Sequence, residues 1–308
     1  MAQSDSEQSK EWSGKTDGGD FGQRALIWMV KHLGLKTMYA VVALFIPFYV
    51  IFNVKERNAI MKYYNIVHHN TNTRSFFKVF RNNYLFAKMM LDRLAIMSGM
   101  SHRFKIDITN EEVFNDLAHS KQGFMIGSSH IGNFELAGMI LKQNYKKVKI
   151  VIFGGENSDL QQRRDTFMAK NNISSIPVMK DMSHIFAIKN ALDAGEIVTI
   201  ACDRLLGSSK KIPVDIMGIP CALPMGPFIM AAQTGVPMLS IFVIRKKIWE
   251  YSVMVSLISS EDIMTEKSPH KRASLLAKKF ASEMEKTIKE NPDQWFNFYD
   301  FWNDKAIE

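Results

Sequence analysis

The sequence predicts an α/β protein, a mixed and mostly parallel sheet flanked by helices, carried behind an N-terminal membrane-anchoring helix. Three observations predict it. From about residue 120, short apolar runs alternate with helical patterns, as when helices cover both faces of a largely parallel sheet. The last two runs, Met238–Ile244 and Tyr251–Leu257, are separated by a few residues around Trp249; that separation demands a hairpin, so the sheet is mixed. Ahead of them, "MYAVVALFIPFYVIFNV" runs from Met38 to Val54 without a charge.

Residues 1–22 are mostly Ser, Gln, Glu, Gly, Asp and Lys. They offer little to bury and are expected to form a disordered tail. Residues 23–56 form the expected anchor and 57–308 the body. The uncharged run spans about 25 Å as a helix, slightly short of the roughly 30 Å hydrocarbon core. Adding Leu33 to Thr37 lengthens it at the expense of including Lys36, whose stem can snorkel. Pro47 would kink it, which membrane helices tolerate. A cleaved signal is excluded by the long polar tail and by "FNVKERN" where a small-residue site would stand. Spanning and lying in the interface are both open, and a buried core helix is the competing reading. Lys31 and Lys36 precede the run and Lys55 and Arg57 follow it, so flanking charge does not orient it.

Ser75 to Met97 follows, with Phe76, Phe80, Tyr84, Ala87, Leu91 and Leu94 at helical spacing and Lys78, Arg81, Lys88 and Arg93 among them. It reads as an amphipathic core helix or, alternatively, a membrane-lying one. Strands are expected at Gly123–Gly127, Val148–Phe153, Ile197–Cys202, Met238–Ile244 and Tyr251–Leu257. Helices are expected at Ser183–Ala194, stopped by Gly195, and at Pro227–Thr234, stopped by Gly235. A third runs from Pro269 to Glu290, capped by Ser268 and closed by Asn291-Pro292.

The net charge is +8. The excess is dispersed, with doublets such as Arg163-Arg164 and Lys210-Lys211. No long basic run or nucleic-acid motif occurs, which argues against nucleic acid and leaves an anionic membrane or an acidic partner. Cys202 and Cys221 lack metal-ligand spacing and sit in apolar stretches. They read as buried reduced thiols, consistent with a cytoplasmic-facing domain.

The chemistry concentrates in "GFMIGSSHIGNFELAG", Gly123 to Gly138. An apolar strand enters the turn Gly127-Ser128-Ser129 and meets His130, with Glu135 five residues on. The bare pattern is weak: eight histidines among 31 acids in 308 residues yield about one match by chance. His102 and Asp107 also match, but on an alternating strand. There, five residues put side chains on opposite faces about 17 Å apart. For His130 and Glu135, one continuous helix would leave the pair about 140° apart. If His130 sits in the turn before a helix over Asn133–Ile140, with Gly132 bending the chain and Asn133 or Ser129 capping, Glu135 can reach back to the ring. Carboxyl ends of strands beside helix N-termini are where α/β sheets hold ligands, and helix amides suit a developing oxyanion. In that reading His130 is a base and Glu135 fixes its tautomer. The bland alternative is a histidine merely salt-bridged at a helix start. Ser128 or Ser129 as nucleophile fails because no G-x-S-x-G elbow is present. "FGGEN" at 153–157 lacks phosphate-loop spacing.

"SSHIGNFELAG" resembles the catalytic block of the lysophospholipid acyltransferase superfamily. More closely, it resembles the lipid A late acyltransferases, in which Glu replaces the Asp of the glycerolipid enzymes. Three later stretches resemble that family in order: Ala191–Pro220 with its Asp-containing loop, Cys221–Val243, and "NPDQWFNFYDFW" at Asn291–Trp302. The resemblance implies a glycerolipid-acyltransferase-like fold at an inner (cytoplasmic) membrane, with the domain facing the cytoplasm. It implies transfer of a fatty acyl chain from an acyl carrier protein or coenzyme A thioester to a lipid acceptor, lipid A precursor first, without cofactor or metal. It makes His130 and Glu135 catalytic. Asn133, Arg163, Arg164, Asp203 and Arg204 are the implied substrate-binding residues. Asp203-Arg204 departs from the family's usual Asp-Gln or Asp-His, so the acceptor stays open, an aminolipid or polyene lipid included. A non-catalytic lipid-binding protein and a hydrolase are the competing functions.

Overall fold

Apolar runs decide the centre of the molecule. The computed structural model describes residues 19–68, 71–133, 136, 146–153, 172–179, 181–205 and 210–302. Seven strands make one sheet: β1 (Lys105–Thr109), β2 (Phe124–Ser128), β3 (Val148–Phe153), β4 (Ile173–Val178), β5 (Ile197–Ala201), β8 (Met238–Lys247) and β9 (Glu250–Leu257). Their order is β1-β9-β8-β2-β5-β3-β4. Neighbours are parallel except for the antiparallel β8–β9 pair, so the sheet is mixed and mostly parallel. Trp249 at the tip of that hairpin has φ 62°. A separate two-stranded ribbon joins β6 (Lys211–Ile216) to β7 (Ile219–Pro224).

Both faces of the sheet are covered. Along β8, Leu239, Ile241 and Val243 enter one apolar cluster, whereas Met238, Phe242 and Ile244 enter the other. That period-two division is strand geometry, and it explains why β8 reads as an unbroken apolar run. The second cluster takes helix α6 (Ser183–Asp193), α7 (Met225–Thr234) and α9 (Pro269–Glu290). Ser268 caps α9 through its side chain. Along α9, Ala273, Leu276, Ala277, Phe280, Ala281, Met284 and Ile288 are buried at i, i+3, i+4 spacing. Complete burial of one large apolar side chain stabilises by about 1.5–3 kcal/mol. A short α8 (Glu261–Met264) precedes α9, and α5 (Glu111–His119) links β1 to β2 and packs Phe114 on Phe124.

The N-terminal helices are α1 (Gly19–Leu33), α2 (Leu35–Phe52), α3 (Val54–His68) and α4 (Asn72–Ala95). The expected disordered tail falls, up to residue 18, outside the described residues, and the remainder is the start of α1. α4 packs as a core helix. It buries Val79, Met89, Leu91 and Ala95 along with Ser75, Asn82, Asn83 and Asp92, and it packs against α1, α2 and α3. α2 is long and apolar enough to cross a membrane by length and composition. Its Leu35, Met38, Tyr39, Ile46 and Val50 are nonetheless buried within the protein. Leu44, Phe45, Phe48, Ile51 and Phe52 face outward, Phe48 at 63% and Phe52 at 78% exposure.

Candidate active site

Strand register builds the site. β2 and β5 are parallel neighbours, with Ser128 opposite Ala201. Two residues past each of these stand His130 and Asp203. The backbone keeps the two ends level, since Cys202 donates its N–H to Ser128 O at 2.8 Å. The side chains therefore meet at the carboxyl edge of the sheet, although they are 73 residues apart in the chain.

Asp203 grips the histidine at two points. Its Oδ2 accepts the backbone N–H of His130 at 2.8 Å, and its Oδ1 lies 2.8 Å from Nδ1. Trp295 donates Nε1–H to Oδ2 at 3.4 Å. The carboxyl is 3% exposed and the imidazole 16%. Burial alone would raise the Asp203 pKa. The facing His130, the Arg204 charge and the donated hydrogen bonds more than offset it, so the carboxyl is held below its ordinary range. An ionised carboxylate only accepts, so Nδ1 must carry hydrogen. In neutral His130 the basic lone pair is then on Nε2.

The turn itself is clamped by remote backbone. Gly132 donates to Gln294 O at 2.7 Å, Asn133 to Val243 O at 2.8 Å, and Phe296 to His130 O at 2.8 Å. Ile131 bridges Trp295, and Gly132 bridges Val243. Tyr299 donates its hydroxyl to Asp203 O at 2.9 Å. The C-terminal segment thus locks both halves of the pair. Gly132 has φ 64°, and a Cβ there would lie 1.9 Å from Val243 O. Only glycine fits. Gly132→Ala is expected to destabilise the fold by at least about 1–3 kcal/mol, seen as a lower denaturation midpoint, and to lower turnover in the molecules that remain folded.

Asn133 is buried and donates Nδ2–H to Met89 O at 3.2 Å and to the Tyr251 hydroxyl at 3.3 Å. Arg204 is half-buried. Its Nη2 reaches Phe296 O at 3.5 Å, and its guanidinium carbon stands 5.8 Å from the Tyr299 ring centroid. The structure therefore brings His130, Asp203 and Arg204 together, whereas the buried Asn133 side chain is tied to Met89 and Tyr251. Glu135, Arg163 and Arg164 lie outside the described residues. Sequence reasoning placed Asp203 beside the substrate and overlooked it as the partner of His130. It also overlooked Trp295 and Tyr299 as supports. A usable signal was the matched ending of two strands, "FMIGSSH" and "IVTIACD". Cys202, next to Asp203, is fully buried, and burial followed by the Asp203 charge pushes its thiol well up. It stays protonated and inert, as expected of a core thiol.

The family model described as bacterial lipid A biosynthesis acyltransferase matches residues 76–304, well over half of the chain. The chain belongs to that family. Comparison with curated proteins gives no match. Membership in the lipid A biosynthesis acyltransferases makes this protein an acyltransferase acting on a lipid A-like acceptor. The matched stretch begins within α4 and includes both strand ends that carry His130 and Asp203, along with the clamping segment around Trp295. An imidazole whose tautomer is fixed in this way has the chemistry to accept a proton.

Proposed function

We propose that this acyltransferase moves a fatty acyl chain from an acyl carrier protein or coenzyme A thioester to a hydroxyl or amine of a lipid A precursor. The observation that carries the mechanism is the two-point bond between Asp203 and His130. Nε2 of neutral His130 takes the proton of the acceptor. The freed oxygen or nitrogen forms a bond to the thioester carbonyl carbon, and the C–S bond breaks. The leaving thiolate takes the proton back from His130, restoring the base. Asp203 keeps Nδ1–H in place and favours the transient imidazolium. Glu135 is proposed as a second acid of the site, and Arg163, Arg164 and Arg204 as contacts for anionic groups of acceptor or donor. The net charge of +8 suits an acidic carrier protein.

We place the enzyme at the inner membrane, facing the cytoplasm, with α2 lying along the lipid surface rather than crossing it. The buried stripe of α2 against α4 supports this, because α4 carries Lys78, Arg81, Lys88 and Arg93; a helix tied to such a partner cannot enter hydrocarbon alone. The outward Phe45, Phe48 and Phe52 suit the acyl boundary. Phe48→Asp is expected to move the protein from floated liposomes to the soluble fraction, with its thermal midpoint little changed.

The deciding assay presents acyl carrier protein and coenzyme A thioesters separately to purified enzyme on liposomes. Acceptors are a lipid A precursor, an aminolipid and a hydroxylated polyene lipid. Acyl-lipid A is the expected product. Release of free fatty acid alone would mark a hydrolase, and no turnover with any pair would favour a binding protein.

A further inference from the structure

A buried polar network outside the catalytic pair reaches the same turn. Its centre is Asp92 on α4, fully buried. Oδ2 accepts from Arg245 Nε at 2.9 Å and from the Tyr251 hydroxyl at 2.6 Å. Oδ1 accepts from the Tyr39 hydroxyl of α2. Arg245 also donates Nη2–H to that hydroxyl at 3.2 Å. From Tyr251 the chain of bonds continues to Asn133 Nδ2 at 3.3 Å. From Arg245 it continues through Gln294, whose side chain accepts Arg245 N–H and donates to Arg245 O, each at 2.9 Å. Gln294 O in turn holds Gly132 N–H. Two branches leaving one carboxylate therefore end on adjacent residues of the catalytic turn, Gly132 and Asn133.

A salt bridge placed only for stability is an uneconomical device, since well-packed apolar side chains of similar volume do as well or better. This one has a geometric output instead. Asn133 stands three residues past His130, and the bonds of its neighbours fix where the imidazole sits over Asp203. Its other end lies on α2, the helix with the outward apolar face.

We propose that Asp92 is a positioning residue. Through Tyr251 and Asn133 it sets the register of His130 against Asp203, and through Tyr39 it ties that register to the seating of α2. The proposal rests on His130 being the base. It predicts that the network governs turnover and leaves substrate binding alone, because Asp92, Tyr39, Arg245 and Tyr251 are buried within the protein.

Removing a charge from the buried pair would threaten the fold, so the hydroxyls are the probe. Tyr251→Phe and Tyr39→Phe keep ring and packing and each delete the two bonds of one hydroxyl: to Asp92 and Asn133 for Tyr251, to Asp92 and Arg245 for Tyr39. The assay is the full chain on liposomes, with kcat and KM measured separately, thermal midpoints alongside, and the proton NMR signal of His130 Nδ1–H recorded. Tyr251→Phe is expected to lower kcat about tenfold and leave KM within about twofold, with the Nδ1–H signal displaced and the protein folded. Tyr39→Phe is expected to lower kcat in the same sense. Wild-type kcat and an unmoved signal in Tyr251→Phe overturn the proposal, as does a loss matched by an equal loss of folded protein. Wild-type kcat in Tyr39→Phe overturns the tie to α2. His130→Ala, run in parallel, separates the two ideas. Persisting activity there sinks the base assignment, whereas an inactive His130→Ala beside an unaffected Tyr251→Phe sinks the positioning role only.

Discussion

His130→Ala is expected to lower turnover by about 10²–10⁴-fold while the protein stays folded. The ring is partly exposed and contributes little to either apolar cluster. Its loss leaves Asp203 buried, but not bare. The backbone N–H of residue 130 and Trp295 Nε1 still donate to Oδ2, and any side chain at 130 preserves the first of these. The thermal midpoint should therefore fall by a few degrees, not collapse. Initial rates of acyl transfer measured on material checked by thermal melting decide the matter. A folded variant keeping a tenth or more of the activity would remove His130 from the mechanism.

Asp203→Asn is the sharper test, because shape is kept and only an acceptor is lost. The carboxylate serves His130 N–H with one oxygen and Nδ1–H with the other. An amide has a single acceptor oxygen. If that oxygen stays on the backbone, an NH₂ group faces Nδ1, and the ring must carry its hydrogen on Nε2, the wrong tautomer for a base. A loss of about 10⁴-fold in kcat is expected, as for the same exchange in a serine-protease triad. Glu135→Gln should be run beside it. If Asp203 alone fixes the tautomer, the glutamine variant loses much less; equal losses would mean that both acids act on the ring.

The same variant has a stability signature with a definite sign. The Asp203 carboxyl is held below its ordinary range in the folded state, so the unfolded chain binds protons more readily. The stabilisation is complete above the unfolded carboxyl pKa of about 3.9 and fades as acidification passes through the lower folded value. Wild type should exceed Asp203→Asn in denaturant midpoint at neutral pH, and the gap should narrow as the pH drops below about 4. A gap that widens in acid would contradict the charge state assigned to Asp203.

Why some of this was legible in advance follows from burial. β2, β5 and β8 are central strands buried along most of their length, and β3 and β9 are mostly apolar, so each stands out as an apolar run. α9 begins and ends where Ser268 and Asn291-Pro292 say it should, because caps are local chemistry. β4 was missed: as the edge strand it shows exposed Ser174 and tolerates Pro177, and both weaken a strand signal. The β6–β7 ribbon is absent from the expected strands. Pro213 and Pro220 mask it, although Met217 and Gly218, with φ 59° and 72°, form the kind of two-residue turn that joins hairpin strands. The site divides the same way. His130 announced itself through its local turn. The partnership with Asp203 depends on which strands become neighbours, a non-local fact that spacing along the chain does not contain. Asn133 looked like a cap or a ligand contact because nothing near it in the chain hints at Tyr251 or Met89.

The clamp from Gln294 to Phe296 has a consequence for synthesis. A growing chain exposes the histidine early, its acidic companion only after residue 203 has emerged, and the backbone that pins them later still. If the pair is the base assembly proposed above, a chain cut short before residues 294–296 is expected to be silent in acyl transfer, because neither half is then pinned.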